Sequence, residues 1–154
     1  MNVDRVEMLA KVLSAFRDTS VSDFRARLIL QKRVYLLQIL GADLNYRFNW
    51  YLRGPYSPDL TRDAFTLLGR DNAASEATVP HNFGDIIKDF KVWAGSRSDD
   101  ARWLEIVASL HYLMSAKLKS TDINSAMTAK MTDLKPDELS AAEAELRQHR
   151  LLPA

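Results

Sequence analysis

The sequence predicts a mainly α fold: six or seven helices with one short β-strand or hairpin in a winged-helix-like centre. Three observations carry this. Apolar residues recur at helical spacing through most of the chain. One stretch, residues 46–53, switches to alternation of apolar and polar side chains. Breaks containing Gly, Pro, Ser or Asp fall between the periodic segments. The 154 residues suffice for one domain, 1–154. Residues 28–68 form its central helix–strand–turn–helix core, and residues 98–150 its C-terminal helices.

Residues 3–17 place Val6, Leu9, Leu13 and Phe16 on one helical stripe, ended by Asp18, Thr19 and Ser20. Ser22 is a candidate cap for the next helix, because its hydroxyl oxygen can accept from an unpaired backbone N–H. That helix, residues 23–40, is the strongest: Phe24, Leu28, Tyr35 and Ile39 share a side with Leu30, Val34 and Leu37 beside them. So broad an apolar face suits a central helix, and Gly41 terminates it. Tyr46, Phe48, Trp50 and Leu52 then point one way and Arg47, Asn49, Tyr51 and Arg53 the other, as in a half-buried strand. A strand needs a partner for its backbone groups, expected close by within residues 46–56 or from residues 76–80. Gly54-Pro55 ends the strand. Ser57-Pro58-Asp59 starts a helix with a cap, a first-turn proline and an acid at the positive end of the dipole.

Residues 70–80 read as a polar loop with Val79 as an anchor. A helix over 82–94 buries Phe83, Ile86, Ile87, Phe90 and Trp93. After Gly95–Ser98, Ser98 or Asp99 caps a long helix to about Lys119 with Trp103, Ile106, Leu110 and Leu118 inward. Thr121 and Pro136 open the last two helices.

The chain has no cysteine, which excludes disulfides and thiolate metal sites and suits a reducing compartment. Its apolar runs are too short to span a membrane, and its first residues carry acids where a signal peptide needs bases. A cytoplasmic protein with no membrane contact is expected. Net charge is +1, too little for a purely electrostatic nucleic-acid binder. The distribution is uneven: Arg25 to Arg62 holds seven bases against two acids, a net of +5, and the segment from Thr121 on holds four against six.

Little in the chain points to catalysis. His81, His111 and His149 stand at no ligand spacing. Asp99-Asp100 suits a helix start, and Glu143 and Glu145 read as a solvated face. No phosphate-cradling glycine loop and no nucleophile elbow occurs. The sequence reading is therefore a non-enzyme with no cofactor and no metal. The outward side of the strand is more informative. Arg47, Asn49, Tyr51 and Arg53, with Tyr56 in the turn, combine guanidinium, amide and phenol groups. Such a set fits the centre of a protein interface. It also fits phosphate contact and base stacking, in which Lys32, Arg33 and Arg62 would join. Simple solvation of these residues is the third reading.

Leu30-Gln31-Lys32-Arg33-Val34-Tyr35-Leu36-Leu37, an aromatic strand, and then Gly54-Pro55-Tyr56-Ser57-Pro58-Asp59-Leu60 resemble the YwgA-type proteins and, more distantly, the Panacea (SocA-like) antitoxin domain. The likeness covers the central helix, strand and turn. Gln31, Lys32, Tyr35, Gly54, Pro55, Ser57 and Pro58 match the pattern, and Arg33 stands where the pattern has an apolar residue. The resemblance implies a mostly helical domain without established catalysis. It further implies direct contact with a partner protein, a toxin or defence effector, in a toxin–antitoxin or phage-defence setting. The expectation is thus a non-enzymatic interaction module, antitoxin-like. A winged-helix-like DNA-binding regulator is the alternative, and whether the chain pairs with itself stays open.

Overall fold

A computed structural model describes residues 2–17, 19–69 and 82–152. Among the described residues are seven α-helices and one two-stranded antiparallel sheet, so the fold is mainly α. The order is α1 (Asn2–Ala15), α2 (Phe24–Ile39), β1 (Asn49–Tyr51), β2 (Gly54–Tyr56), α3 (Pro58–Leu68), α4 (Phe83–Ala94), α5 (Ala101–Ser115), α6 (Ser120–Lys130) and α7 (Pro136–Gln148). A 3-10 turn, Gly95–Arg97, joins α4 to the approach of α5. The 76–80 pairing, the Val79 anchor and His81 lie outside the described residues. No described helix is long and apolar enough to cross a membrane.

Two helices make the centre. In α2 every residue from Leu28 to Leu37 is buried, and in α5 every residue from Leu104 to His111. Helices buried on so many sides must be wrapped by neighbours, even where the buried side chains are polar. α2 and α5 pack on each other, α4 covers α2, and α6 and α7 cover α5. β2 lies against both central helices. Buried side chains from all seven helices join one hydrophobic cluster.

Helix ends follow from backbone geometry. α2 is capped by Asp23, not Ser22: Asp23 is extended (φ −136°, ψ 174°) and its carboxylate accepts from Ala26 N–H at 2.8 Å. α5 is capped by Asp100, not Ser98 or Asp99, and the carboxylate accepts from Arg102 and Trp103 N–H. Ser98 is already in right-handed helical backbone and cannot serve as a cap. Ser57 caps α3 as expected. Gly41 (φ +116°) closes α2, with Gly41 N–H on Gln38 O and Ala42 N–H on Leu37 O, a paired closure that needs a left-handed residue. α5 stops at Ser115, short of Lys119, because Lys117 turns left-handed (φ +60°), which leaves Leu118 exposed instead of inward.

The strand is shorter than its alternation suggests. Only residues 49–51 pair, and their partner is the segment that follows at once: Asn49 faces Tyr56, Trp50 faces Pro55 and Tyr51 faces Gly54. Tyr46 is buried as expected, but the Gln38 side chain stands in for a neighbouring strand. Its amide donates to Tyr46 O (3.0 Å) and accepts from Tyr46 N–H (2.9 Å). Trp50 packs on Tyr112 and Phe48 on Tyr35, with ring centroids 5.6 and 5.2 Å apart. Leu52 corrects the alternation. It occupies the two-residue hairpin turn and is 84% exposed.

Candidate functional site

The Gln31-Lys32 pair of α2 and the Gly54–Pro58 turn after β1 touch each other. Gln31 lies seven residues, two turns, before Gln38 and repeats its action. The Gln31 amide accepts from Ser57 N–H at 2.8 Å and donates to Ser57 O at 2.8 Å and to Thr61 Oγ1. Lys32 Nζ donates to Pro55 O at 2.6 Å. Proline has no N–H, so its carbonyl is the only main-chain group at that register, and Lys32 takes it. Two adjacent α2 side chains thus clamp the β2–α3 turn. Gly54 completes the fit: at φ +95° it sits where an added Cβ would overlap Ser109 Oγ of α5, leaving no room for a side chain.

The clamped hairpin forms a groove with the start of α2. Phe24, Arg27, Leu28 and Gln31, at spacings 3, 4 and 7, share one helix face. Tyr51, Leu52, Arg53 and Tyr56 face them across a cavity of about 270 Å³. Three of the large hydrophobic side chains lining it are exposed: Phe24 by 55%, Tyr51 by 46% and Leu52 by 84%. The Arg53 guanidinium lies over the Phe24 ring, 5.3 Å from its centroid. Tyr51 meets Tyr56 edge-on at 5.4 Å, and the Tyr56 hydroxyl shares a hydrogen bond with Thr61 Oγ1.

Below the hairpin lies a buried ionic cluster. Glu105 of α5 pairs with Lys130 of α6, and both side chains are almost wholly inaccessible. Arg53 approaches the other Glu105 oxygen at 3.8 Å. Burial pushes Lys32 down from its ordinary 10.5 to about 7, although Glu105 pulls the other way. Burial also lowers Lys130, against the hydrogen bond it donates to Glu105. A lysine whose folded pKa is depressed favours the unfolded chain when it binds a proton. The cost is complete below pH 7 and fades as pH rises toward 10.5. Burial raises Tyr35 and Tyr46 above their usual 10, so stability falls again once unfolded tyrosines ionise. Urea unfolding is therefore expected to show stability climbing from pH 7 toward pH 10 and then dropping. Lys32→Met is expected to flatten the climb, and an unchanged slope would remove Lys32 as its source.

Of the residues read as partner-binding, Tyr51, Arg53 and Tyr56 line the groove, and Arg47 and Asn49 are exposed outside its lining. The nucleic-acid set fares differently. Lys32 is 1% exposed and Arg33 2%, so neither presents a cation to a phosphate. Arg33 donates to Ser98 O at 2.7 Å and lies over the Phe16 ring. Arg62 is exposed and pairs with Asp59 at 3.0 Å. Phe24, Arg27, Leu28, Gln31 and Leu52 were not assigned to the site by sequence. The 3, 4, 7 spacing of the α2 four is the signal that groups them.

His111 is packed. Its Nε2 meets Leu151 O at 3.0 Å and its Nδ1 the Tyr35 hydroxyl at 2.7 Å, and burial lowers its pKa. If Nε2 donates, Nδ1 accepts from the tyrosine. Glu145 is not on a solvated face. It receives Arg97 at 2.7 and 3.0 Å and the indoles of Trp93 and Trp103. Burial would raise its pKa, but Arg97 and the indoles outweigh that and hold it low. Among the described residues no three His, Asp or Glu side chains are grouped to hold a metal ion.

Comparison of the chain with protein-family models, with curated proteins and with solved structures gives no match.

Proposed function

We propose that this chain is a non-enzymatic protein-binding module whose partner seats in the groove between α2 and the hairpin. One observation carries the reading: exposed Phe24, Tyr51 and Leu52 gather around a single concave surface whose hairpin wall is fixed from beneath. Exposed apolar side chains scattered singly are ordinary, whereas a grouped set with arginine and tyrosine beside it has the make-up of an interface centre. The clamp by Gln31 and Lys32 removes the ordering cost a loose hairpin would incur on binding. The resemblance of the clamp motifs to the Panacea and YwgA-type pattern supports an antitoxin-like or defence-accessory role in the cytoplasm. The DNA-binding alternative is weaker, since two of the five cations it would use, Lys32 and Arg33, are inside the protein.

The test is Leu52→Asp, measured against the partner that copurifies from native cells. Leu52 sits in water at a turn, so the melting temperature is expected to stay within about 3 °C. Loss of a central apolar contact is expected to weaken binding at least about tenfold. Unchanged affinity would place the partner elsewhere.

A further inference from the structure

We propose that the groove takes a linear acidic peptide segment carrying two apolar anchors, an inference that rests on the docking reading above. A second cavity of about 270 Å³ adjoins the first and shares Phe24, Leu28 and Arg53 with it, and is closed by Ala101 and Met131. The stacked Phe24–Arg53 pair therefore stands as a ridge between two apolar seats, each fit for one anchor. The rim is lopsided in charge. The two linings together hold Arg25, Arg27, Arg53 and Arg102, with Lys32 buried beneath them, but a single acid, Glu105, whose carboxylate is already held by Lys130 and approached by Arg53. Arg102 is neutralised by Asp133 and Glu138. Arg25 and Arg27 are not neutralised: among the described residues they donate to the carbonyls of Asp99 and Val21 and form no ion pair. An occupant with carboxylates flanking its anchors supplies the missing charge, and a basic one is repelled. The Phe24 ring is already covered by the Arg53 guanidinium and Tyr51 meets Tyr56 edge-on, while Leu28 and Leu52 offer aliphatic walls, a make-up that suits apolar peptide anchors better than stacked bases.

The experiment is selection of a phage-displayed random dodecapeptide library on the immobilised full chain, with binding of the enriched peptides measured by fluorescence anisotropy. Arg25→Glu/Arg27→Glu is the charge variant. Both positions lie in the first turn of α2, where acids suit the dipole, so its melting temperature is expected to hold or rise. Leu52→Asp is the groove variant. The proposal expects enriched peptides with net negative charge and two apolar residues, each losing at least about tenfold affinity with either variant. Peptides of neutral or basic character that ignore the charge variant yet are lost with Leu52→Asp would overturn the acidic-peptide proposal and leave the docking reading standing. No enrichment, or indifference to Leu52→Asp, would overturn both. Displacement of an enriched peptide by a labelled oligothymidylate at low salt would assign the groove to nucleic acid and overturn the proposal as well.

Discussion

Replacing Glu105 with leucine is expected to cost about 3–5 kcal/mol of stability, which at this chain length lowers the melting temperature by roughly 10–15 °C. Among the described residues, Glu105 is the one carboxylate at the junction of α2, the hairpin, α5 and α6. It pairs with Lys130, meets Arg53 and attracts Lys32. Without it, a buried ammonium on α6 has no counter-charge, and Lys32 loses the attraction that opposes its desolvation. Two results separate this from simple loss of packing. Leucine fills similar space, so a cavity is not the cause. Glu105→Leu combined with Lys130→Met is expected to recover most of the loss, because removing both members of a buried pair is close to neutral whereas removing one strands the other. A double variant as unstable as the single one would show that the charges are not the source.

Gly54→Ala is the second large effect, expected at roughly 2–5 kcal/mol. Two terms add. A residue with a side chain at φ +95° is strained by about 1–2 kcal/mol. The new methyl would overlap Ser109 Oγ and stand 3.3 Å from Ser109 Cβ, an overpacking cost of about 1–3 kcal/mol. Among the described residues the buried Ser109 hydroxyl has no hydrogen-bond partner. Ser109→Ala alone is therefore expected to be neutral or stabilising, and in the Gly54→Ala background it is expected to relieve the steric part and leave the backbone part. Thermal unfolding of the three variants reads this directly. Equal destabilisation with and without Ser109→Ala would place the whole cost in the backbone.

The sequence revealed most where the determinant is local. Ser57-Pro58-Asp59 carries its own start signal and Gly41 its own stop, and both elements begin or end there. It failed where the partner is distant. Lys32 and Arg33 read as phosphate contacts because nothing near them in sequence shows that Pro55 O and Ser98 O await them. Tyr46 read as strand because alternation cannot distinguish a neighbouring strand from the Gln38 amide that replaces one. The hairpin turn was hidden because Leu52-Arg53 holds no turn-forming residue, and the permissive backbone is in Gly54, one position later. Period alone assigns Phe24 and Leu52 inward, and period cannot report where a stripe runs past the last neighbour that could cover it. These two, with Tyr51, make the groove. The exposed face of the hairpin was legible, and the helix face opposite was not.

The most direct measurement is amide hydrogen exchange by mass spectrometry on the chain alone and bound to the partner that copurifies from native cells. Binding in the groove predicts new protection confined to residues 24–28 and 49–56, with α4 and α7 unchanged. Protection of α4 or α7 while the hairpin exchanges as it does in the free chain would contradict it.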